Sequence, residues 1–299
     1  MSNWKRIAAQ AAGYLALFAA VFCLTLYFTF DANVLKPALE QAAQKAKYRI
    51  EVGDISLYRL TGLDLKDVSI SLAEPDPDKN PEPMKIDRLQ FSVSLFSIPG
   101  AISAMRARKV PPTSVSYDVR IGSGKITGNY DMGGKTMKLK TSVQDLALDK
   151  ITIPSFYYKN MKLTGKANAE ISLELTDQAR PETWNGKISV DIDKPRLSDF
   201  EWVGLAVPGV TMDKGTLIAD IQNGTLKLNP LKLQGEDIPL SLTGAITLKN
   251  PLGQSILDVS GPLKLSDAYR QKNPLLSANV PSTDNFSYKG ILSGLIPGI

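Results

Sequence analysis

The sequence predicts a mostly β protein in which an amino-terminal transmembrane helix precedes a long, mostly antiparallel, strongly curved sheet with a few short helices. Residues 7–30 carry no charged side chain, whereas residues from 50 onward alternate between apolar and polar side chains for most of the chain. A period of two with one polar face is typical of antiparallel sheet, because parallel strands are usually apolar on both faces. Such a sheet either stays open as a groove lined by its apolar face, or closes into a sandwich or partial barrel that buries this face.

The first element is the uncharged segment 7–30, which predicts a single membrane-spanning helix. Such a helix is about 36 Å long, enough for the ~30 Å hydrocarbon core with some tilt. A cleaved signal peptide has a shorter apolar run and a small-residue cleavage site, so the sequence favours an uncleaved anchor. The anchor residues are Ile7, Tyr14, Leu17, Phe22, Leu26 and Phe30.

Basic residues set the expected orientation of this anchor. Lys5 and Arg6 precede it and favour a cytoplasmic amino terminus. Further basic residues follow the span, but long domains translocate largely regardless of such charges. We therefore expect a single-pass protein in which residues 1–30 form the cytoplasmic start and the anchor, and the bulk lies outside the cytoplasm.

Residues 31–49 predict a short amphipathic helix between the anchor and the sheet. Leu35, Leu39 and Ala43 recur at helical spacing, and lysines and glutamines occupy other positions. Asn33 is the expected capping residue. Three roles remain open: the helix lies on the membrane surface, it caps the following domain, or it is a plain stalk.

Residues 50–299 predict one antiparallel β domain of roughly a dozen strands. The clearest run is 163–175, in which every second residue is apolar or small and the intervening residues are polar or charged. The same period, clean or broken, marks 50–72, 86–95, 115–121, 124–132, 137–148, 184–192, 215–233, 238–248 and 257–265. Asn223-Gly224 and Gly133-Gly134 are typical of hairpin turns between such strands.

Three segments interrupt the alternation. Residues 73–83 are rich in Pro and Asp and predict a loop, whereas 97–112 and 265–272 each predict a short helix. No segment has the composition of a domain linker. We therefore treat 50–299 as one unit, with two sub-regions meeting near 177–182 as the alternative.

The composition excludes several classes of chemistry, because the 299-residue chain has no histidine and one cysteine. Catalytic triads with histidine, imidazole general bases and His-ligated metal sites need a side chain that is absent. One cysteine cannot form an internal disulfide or a C-x-x-C pair. Most of the net charge of +5 lies in residues 1–49, so the β domain is nearly neutral and nucleic acid is not the expected partner.

Two loop motifs have simpler interpretations than ligand binding. Residues 122–125 (GSGK) lack the first glycine and the final Ser/Thr of a phosphate-binding loop, so they predict a hairpin turn. Residues 76–80 begin like a calcium loop, but Pro81 stands where that loop requires glycine. A solvated, Pro-rich loop is therefore the favoured interpretation.

Polar residues on the strands also favour structural roles. The carboxylate pairs Glu170/Glu174 and Asp191/Asp193 lie on polar faces, which favours solvated ion pairs over acid–base catalysis. The aromatic and lysine residues of 156–162 favour strand packing over single-stranded nucleic acid. The sequence therefore predicts no catalytic, cofactor-binding or metal-ligating residue.

The apolar sheet face is the feature that most strongly suggests a function. The predicted helices are too few to cover it, so it either packs inside a sandwich or stays open and holds lipid chains. Small residues on this face, such as Gly244 and Gly261, indicate either room for a ligand or close packing and bends. The candidate groove residues are Leu163, Ala167, Ile171, Leu173, Ile188, Val190, Leu240, Leu242 and Ile246.

The order of these segments and three stretches of sequence resemble a known family. A short basic start, one span and a helix precede VGDISLYRLTGLDLKDVSIS at 52–71. Patterned glycines, prolines and apolar residues then fill 204–269, which includes GVTMDKGTLIADIQNG, and 286–298, which ends in SYKGILSGLIPG. Over essentially its whole length the chain resembles the type II secretion system protein N family, in the form found in delta-proteobacterial-type systems.

This resemblance implies a periplasmic protein anchored in the inner membrane, an accessory of the machine that exports folded proteins across the outer membrane. Its partners would be the inner membrane and other secretion-system proteins, and the family has no catalytic residues. The strand pattern is also similar to AsmA/TamB-like proteins, whose long β grooves are implicated in lipid transport, which implies phospholipid acyl chains as a ligand. We therefore expect a non-enzymatic docking or structural element, with a lipid-binding groove as the alternative and an enzyme using Asp, Glu, Lys or Ser as the third hypothesis.

Overall fold

In the part of the chain that the structure describes, fourteen strands form one antiparallel sheet, and two further strands form a separate hairpin. The computed structural model describes residues 31–59, 61–74, 83–94, 113–133, 135–151, 162–177, 179–198, 200–202, 205–207, 209–272 and 285–292. The prediction of a mostly β, antiparallel protein with few helices is confirmed. The sheet is open, since its first and last described strands do not pair with each other.

The strands are β1 (Tyr48–Tyr58), β2 (Gly62–Leu72), β3 (Met84–Val93), β4 (Thr113–Ile121), β5 (Gly124–Gly133), β6 (Thr136–Ala147), β7 (Leu163–Leu175), β8 (Trp184–Leu197), β9 (Phe200–Trp202), β10 (Leu205–Val207), β11 (Val210–Thr211), β12 (Lys214–Gln222), β13 (Thr225–Gln234), β14 (Leu240–Thr247), β15 (Ile256–Pro262) and β16 (Asn285–Ile291). The α-helices are α1 (Lys36–Lys45) and α2 (Asp267–Lys272). Short 3-10 helices cover Ala32–Leu35, Leu148–Lys150, Pro181–Thr183 and Leu252–Gln254.

Each strand of the sheet pairs with the strand that precedes it in the chain, with one interruption. β1 to β8 pair consecutively, and β12 to β16 continue the same sheet. Between them the chain forms the β9–β10 hairpin and then returns, so that both β11 and β12 pair with β8. Consecutive antiparallel pairing is what short turns between alternating segments produce.

Several predicted elements are present at or near the predicted positions. The run 163–175 is β7, and the segment 265–272 contains α2. Residues 122–125 lie at the turn between β4 and β5, as predicted. Asn223 and Gly224 both have positive φ, at 49° and 72°, as a two-residue hairpin turn requires. The predicted anchor at 7–30 and the predicted helix at 97–112 lie outside the described residues, as does most of the 73–83 loop.

The segment 31–49 is helical only from Ala32 to Lys45, because β1 already begins at Tyr48, and its cap differs from the predicted one. Asp31, not Asn33, is the capping residue: its carboxylate accepts hydrogen bonds from the backbone and side-chain nitrogens of Asn33, both at 3.0 Å. Leu39 of α1 packs against buried residues of the first strands, and Lys36 Nζ donates to the Gly53 carbonyl at 2.7 Å. The sequence left three roles open for this helix, and the contacts of α1 with β1 are those of a helix that caps the β domain.

Most of the buried apolar side chains of the described residues fall into three separate clusters. The first joins α1 to β1–β6 and includes Ile55 and Leu65. The second joins β12 to β16 and includes Ala219 and Val259. The third consists of Tyr269 of α2, Val210 of β11 and Leu265.

Candidate binding surface

The strand register places all nine candidate groove residues on one face of the sheet, which we call the apolar face. Ile171 of β7 lies opposite Ile188 of β8, which lies opposite Ala219 of β12. A parallel row runs through Leu173 and reaches Ile246 of β14 by way of β8, β12 and β13. Leu163, Ala167, Val190, Leu240 and Leu242 occupy the same face by the same register.

Burial varies strongly along this face. Ala167 and Leu242 are buried, at 7% and 9% exposure, whereas the other seven candidates are only half-buried. Among the half-buried side chains of β5–β8 that belong to none of the three core clusters, we group six apolar ones on this face as the central strip. The central strip consists of Tyr130, Leu139, Ile171, Leu173, Val190 and Ile192.

The two described α-helices lie away from the central strip. α1 contacts β1, and α2 packs in the cluster around Tyr269. Six adjacent apolar side chains that keep part of their surface in contact with water are unusual for a sheet face, since such faces normally bury against a second layer. Within the described part of the chain, the central strip is therefore the surface most suited to an apolar ligand or partner.

The opposite, polar face carries an ion pair with a buried carboxylate and a partly exposed arginine, which the sequence did not reveal. Asp64 of β2 is 5% exposed, and its carboxylate accepts bonds from Arg88 Nε at 2.9 and 3.1 Å and from Nη2 at 2.5 Å. Gln90 Nε2 donates a further bond at 3.2 Å. The bonds from Arg88 hold the pKa of Asp64 below its ordinary value and outweigh the opposing effect of burial.

This pair makes part of the stability dependent on pH. Because the folded state lowers the pKa of Asp64, its contribution is complete above the unfolded-state pKa of about 3.9 and is lost as the pH falls through the lower folded-state pKa. We expect Asp64→Asn to lower the urea midpoint at neutral pH and to reduce its further decrease below about pH 4. Asp131→Asn, which changes an exposed carboxylate on the same face, should leave the acid response close to that of the unchanged protein. If the urea midpoint decreased equally below about pH 4 in the unchanged protein and in both variants, this role of Asp64 would be contradicted.

Three of the four carboxylates in the pairs Glu170/Glu174 and Asp191/Asp193 have solvated partners on the polar face. Glu174 forms an ion pair with Lys138 at 3.0 Å, and Asp191 forms one with Lys214 at 3.5 Å; all four side chains are more than half exposed. Glu170 accepts a hydrogen bond from Ser142 Oγ at 2.6 Å. Ion pairs of this kind contribute little to stability, and their pairing is what the alternation of the strands predicts.

Among the described residues, no group of three or more acidic or cysteine side chains is arranged to hold a metal ion. In the same ranges, no helix combines the length and hydrophobicity that a membrane crossing requires; the predicted anchor lies outside them. The calcium-like residues 76–80 and the run 156–161 also lie outside the described residues.

The chain was compared with models of protein families, with curated proteins and with solved structures. None of the three comparisons gave a match. A functional proposal therefore rests on the resemblance in sequence pattern and on the geometry of the two sheet faces.

Proposed function

We propose that the chain is a non-enzymatic periplasmic component of the type II secretion system, anchored in the inner membrane and acting as a docking or structural element. The observation that carries the proposal is the open sheet, whose central strip is only half-buried by the described residues. The resemblance to the protein N family over 52–71, 204–269 and 286–298 supplies the setting. An anchored sheet of this kind would hold a partner at a defined distance from the membrane.

The energetics of the central strip favour a partner. Each Å² of apolar surface removed from water contributes about 25 cal/mol, so partly exposed leucine and isoleucine side chains retain binding energy that folding has not used. Contiguous apolar surface on a sheet face marks an interaction site more often than isolated apolar residues do. The aromatic ring of Tyr130 adds the type of side chain that is enriched at such sites.

Site-specific photo-crosslinking in the native cell tests the proposal. Leu173 and Glu174 are neighbours in β7 that lie on opposite faces, so a photoreactive amino acid at each position forms a matched pair. We expect protein adducts from position 173 that disappear in cells lacking the secretion genes, and far fewer adducts from position 174. Protein adducts that persist without the secretion genes would contradict the secretion role, and an absence of any adduct at 173 would contradict docking through this face.

A lipid-binding groove is the second candidate function, and the continuity of the apolar rows supports it. The register extends one row from Tyr130 of β5 through Leu139 and Leu173 to Ile246 of β14 without a charged residue. An acyl chain laid across the strands would contact only apolar and small side chains along this row. Lipid adducts from position 173 in the crosslinking experiment would favour this function over docking.

The groove makes a separate prediction for phospholipid that co-purifies with the full chain. Leu139 and Leu173 are directly paired, so replacing both with glutamate puts two charges into the central strip, which should reduce bound phospholipid by about tenfold or more. The control exchanges the charges of the ion pair behind them, as Lys138→Glu with Glu174→Lys, and should leave the lipid content unchanged. Quantitative mass spectrometry of extracted lipid measures both. Equal lipid content in the two variants would contradict the groove.

A further inference from the structure

The polar face of the sheet contains a cleft that neither proposed function uses. The cleft has a volume of about 380 Å³ and lies over β3–β7, beside the turn that joins β1 to β2. The lining residues best suited to bind a ligand are Arg59, Gln90, Ser92, Ser116, Asn129 and Lys140. We call it the polar cleft.

Two rows of hydrogen-bonding side chains form the floor of the polar cleft. One row joins directly paired positions of β3–β6, and the second lies two residues further along each strand and extends to β7. The first row is Ser92, Ser116, Asn129 and Lys140, and the second is Gln90, Asp118, Thr127, Ser142 and Glu170. Hydroxyl and amide groups that both donate and accept hydrogen bonds thus face a ligand across four strands, about 14 Å, and Asp118 and Glu170 add two carboxylates to the second row.

This floor is held in place before any ligand arrives. Gln90 and Ser92 are each only 8% exposed, and Gln90 is fixed by its bond to the Asp64 carboxylate. Ser116 Oγ donates to Asn129 Oδ1 at 2.8 Å, whereas Asn129 Nδ2 has no partner among the described residues. A polar floor that is partly buried and internally bonded gives fixed donors and acceptors at little further cost in entropy.

A row of four basic residues borders the polar cleft on the same face. Lys66, Arg88, Arg120 and Lys125 lie at directly paired positions on β2, β3, β4 and β5. Adjacent strands are about 4.8 Å apart, and like charges in direct opposition are destabilising. The row therefore lowers the stability of the free protein unless negative charge offsets it.

The carboxylates of the described sheet offset this row only in part. Asp64 binds Arg88, and Asp118 binds Lys125 at 3.1 Å. In the described ranges, Lys66 and Arg120 have no carboxylate within 4.0 Å, although Asp54 of β1 is paired with Lys66 in the register. The two cations of the cleft itself also have no carboxylate within 4.0 Å in these ranges. The two cleft cations are Arg59, which lies 5.0 Å from the centre of the Tyr58 ring, and Lys140.

We propose that the polar cleft and the basic row bind an acidic saccharide. Sugar hydroxyls match the two-row floor of hydroxyl and amide groups, and carboxylate or phosphate groups on the sugar match the unpaired cations at its border. A simple inorganic anion would bind the cations but would make no hydrogen bonds with the two rows of hydroxyl and amide groups. Single-stranded nucleic acid would need exposed aromatic platforms, and the Arg59 guanidinium already stacks on the aromatic ring of Tyr58.

Calorimetric titration of the full chain in phosphatidylcholine nanodiscs tests this inference and avoids detergents with sugar headgroups. The probes are a tetrasaccharide of alternating glucuronic acid and N-acetylglucosamine, and cellotetraose as a neutral sugar of equal length. We expect the acidic tetrasaccharide to bind at least about tenfold more tightly than cellotetraose, with an affinity that decreases as salt increases. Failure of both sugars to bind, or equal affinity for the two, would overturn the inference.

Variants locate the binding and separate it from general charge effects. Lys140→Gln and Arg59→Gln should each lower the affinity for the acidic tetrasaccharide by about tenfold. Lys138→Gln, which removes a lysine two residues away on the same face of β6, should have little effect. Equal losses at positions 138 and 140, displacement of the sugar by equimolar inorganic phosphate, or tighter binding of an octathymidylate would each overturn it. None of these measurements depends on the apolar face, so this test and the crosslinking test fail independently.

Discussion

Replacing Ala219 with aspartate is expected to destabilise the carboxy-terminal half of the sheet by about 4–5 kcal/mol or more. Ala219 is 1% exposed, and its neighbours across the strands are Ile188 and Leu228. A carboxylate there would be buried among the hydrophobic side chains of this cluster, which offer it no cation. Urea denaturation of the full chain, followed by far-ultraviolet circular dichroism, measures the free energy of unfolding.

Two matched substitutions turn this result into a test of the apolar face. Ala245→Asp introduces the same side chain on the opposite face, between Lys227 and Asp258, and should cost little. Ala169→Asp places it on the apolar face of β7, beside the central strip, where the site is half-buried. We expect an intermediate cost, because water reaches this position. If Ala169→Asp costs as much as Ala219→Asp, the central strip is covered in solution and both proposed uses of the apolar face lose their basis.

The pairing pattern of the sheet could be predicted well from the sequence, for a simple physical reason. In β7 the side chains alternate without a break, and the period of two is a direct consequence of strand geometry. Consecutive strands joined by short turns such as Asn223-Gly224 leave antiparallel neighbours as the easiest arrangement. The alternation does not reveal where the register between two paired strands shifts. Positive φ at Asp145 and Lys194 accompanies such shifts in the pairing of β7 with β6 and β8. Such shifts weaken the sequence pattern without ending the strand.

The sequence could predict which residues share the apolar face of the sheet, but not how far each of them is exposed to water. Ile171 and Ala219 both read as apolar positions of a strand, yet one is half-buried and the other is 1% exposed. The difference depends on which distant elements pack nearby, and a period of two carries no information on that. Asp64 shows the converse, since it alternates like a solvent-facing residue but is covered by Arg88 of the next strand.

The basic row was hidden for a related reason. Lys66 and Lys125 are far apart in the chain, and the β domain is nearly neutral on average. Only the register of four strands aligns these residues with Arg88 and Arg120. Charge patterning along a sequence detects helical stripes and tails, but a row that crosses strands becomes visible only when the pairing is known.

Replacing Gly244 or Gly261 with alanine is expected to cost at least about 3 kcal/mol at each position. Gly244 has φ of +142° and Gly261 has φ of +154°, a region that residues with a Cβ atom rarely adopt. A Cβ at Gly244 would lie 2.7 Å from Val259 Cα and closer still to the Asp258 carbonyl oxygen. A Cβ at Gly261 would meet the Ser241 carbonyl oxygen. Because these neighbours are backbone atoms of the adjoining strand, they cannot move aside as a flexible side chain would.

This prediction distinguishes the two roles that the small residues on the apolar face could have. If Gly244 and Gly261 mark bends and close strand packing, alanine lowers stability even when no lipid is bound. If they make room for a ligand, alanine leaves the urea midpoint unchanged and reduces only the co-purified phospholipid. Gly133→Ala is the control, since a Cβ there meets nothing within 4 Å, and it should be neutral or slightly stabilising. The contacts with Asp258 and Ser241 favour the first outcome, in which these glycines shape the sheet, and the ligand surface that we propose is limited to the central strip of β5–β8.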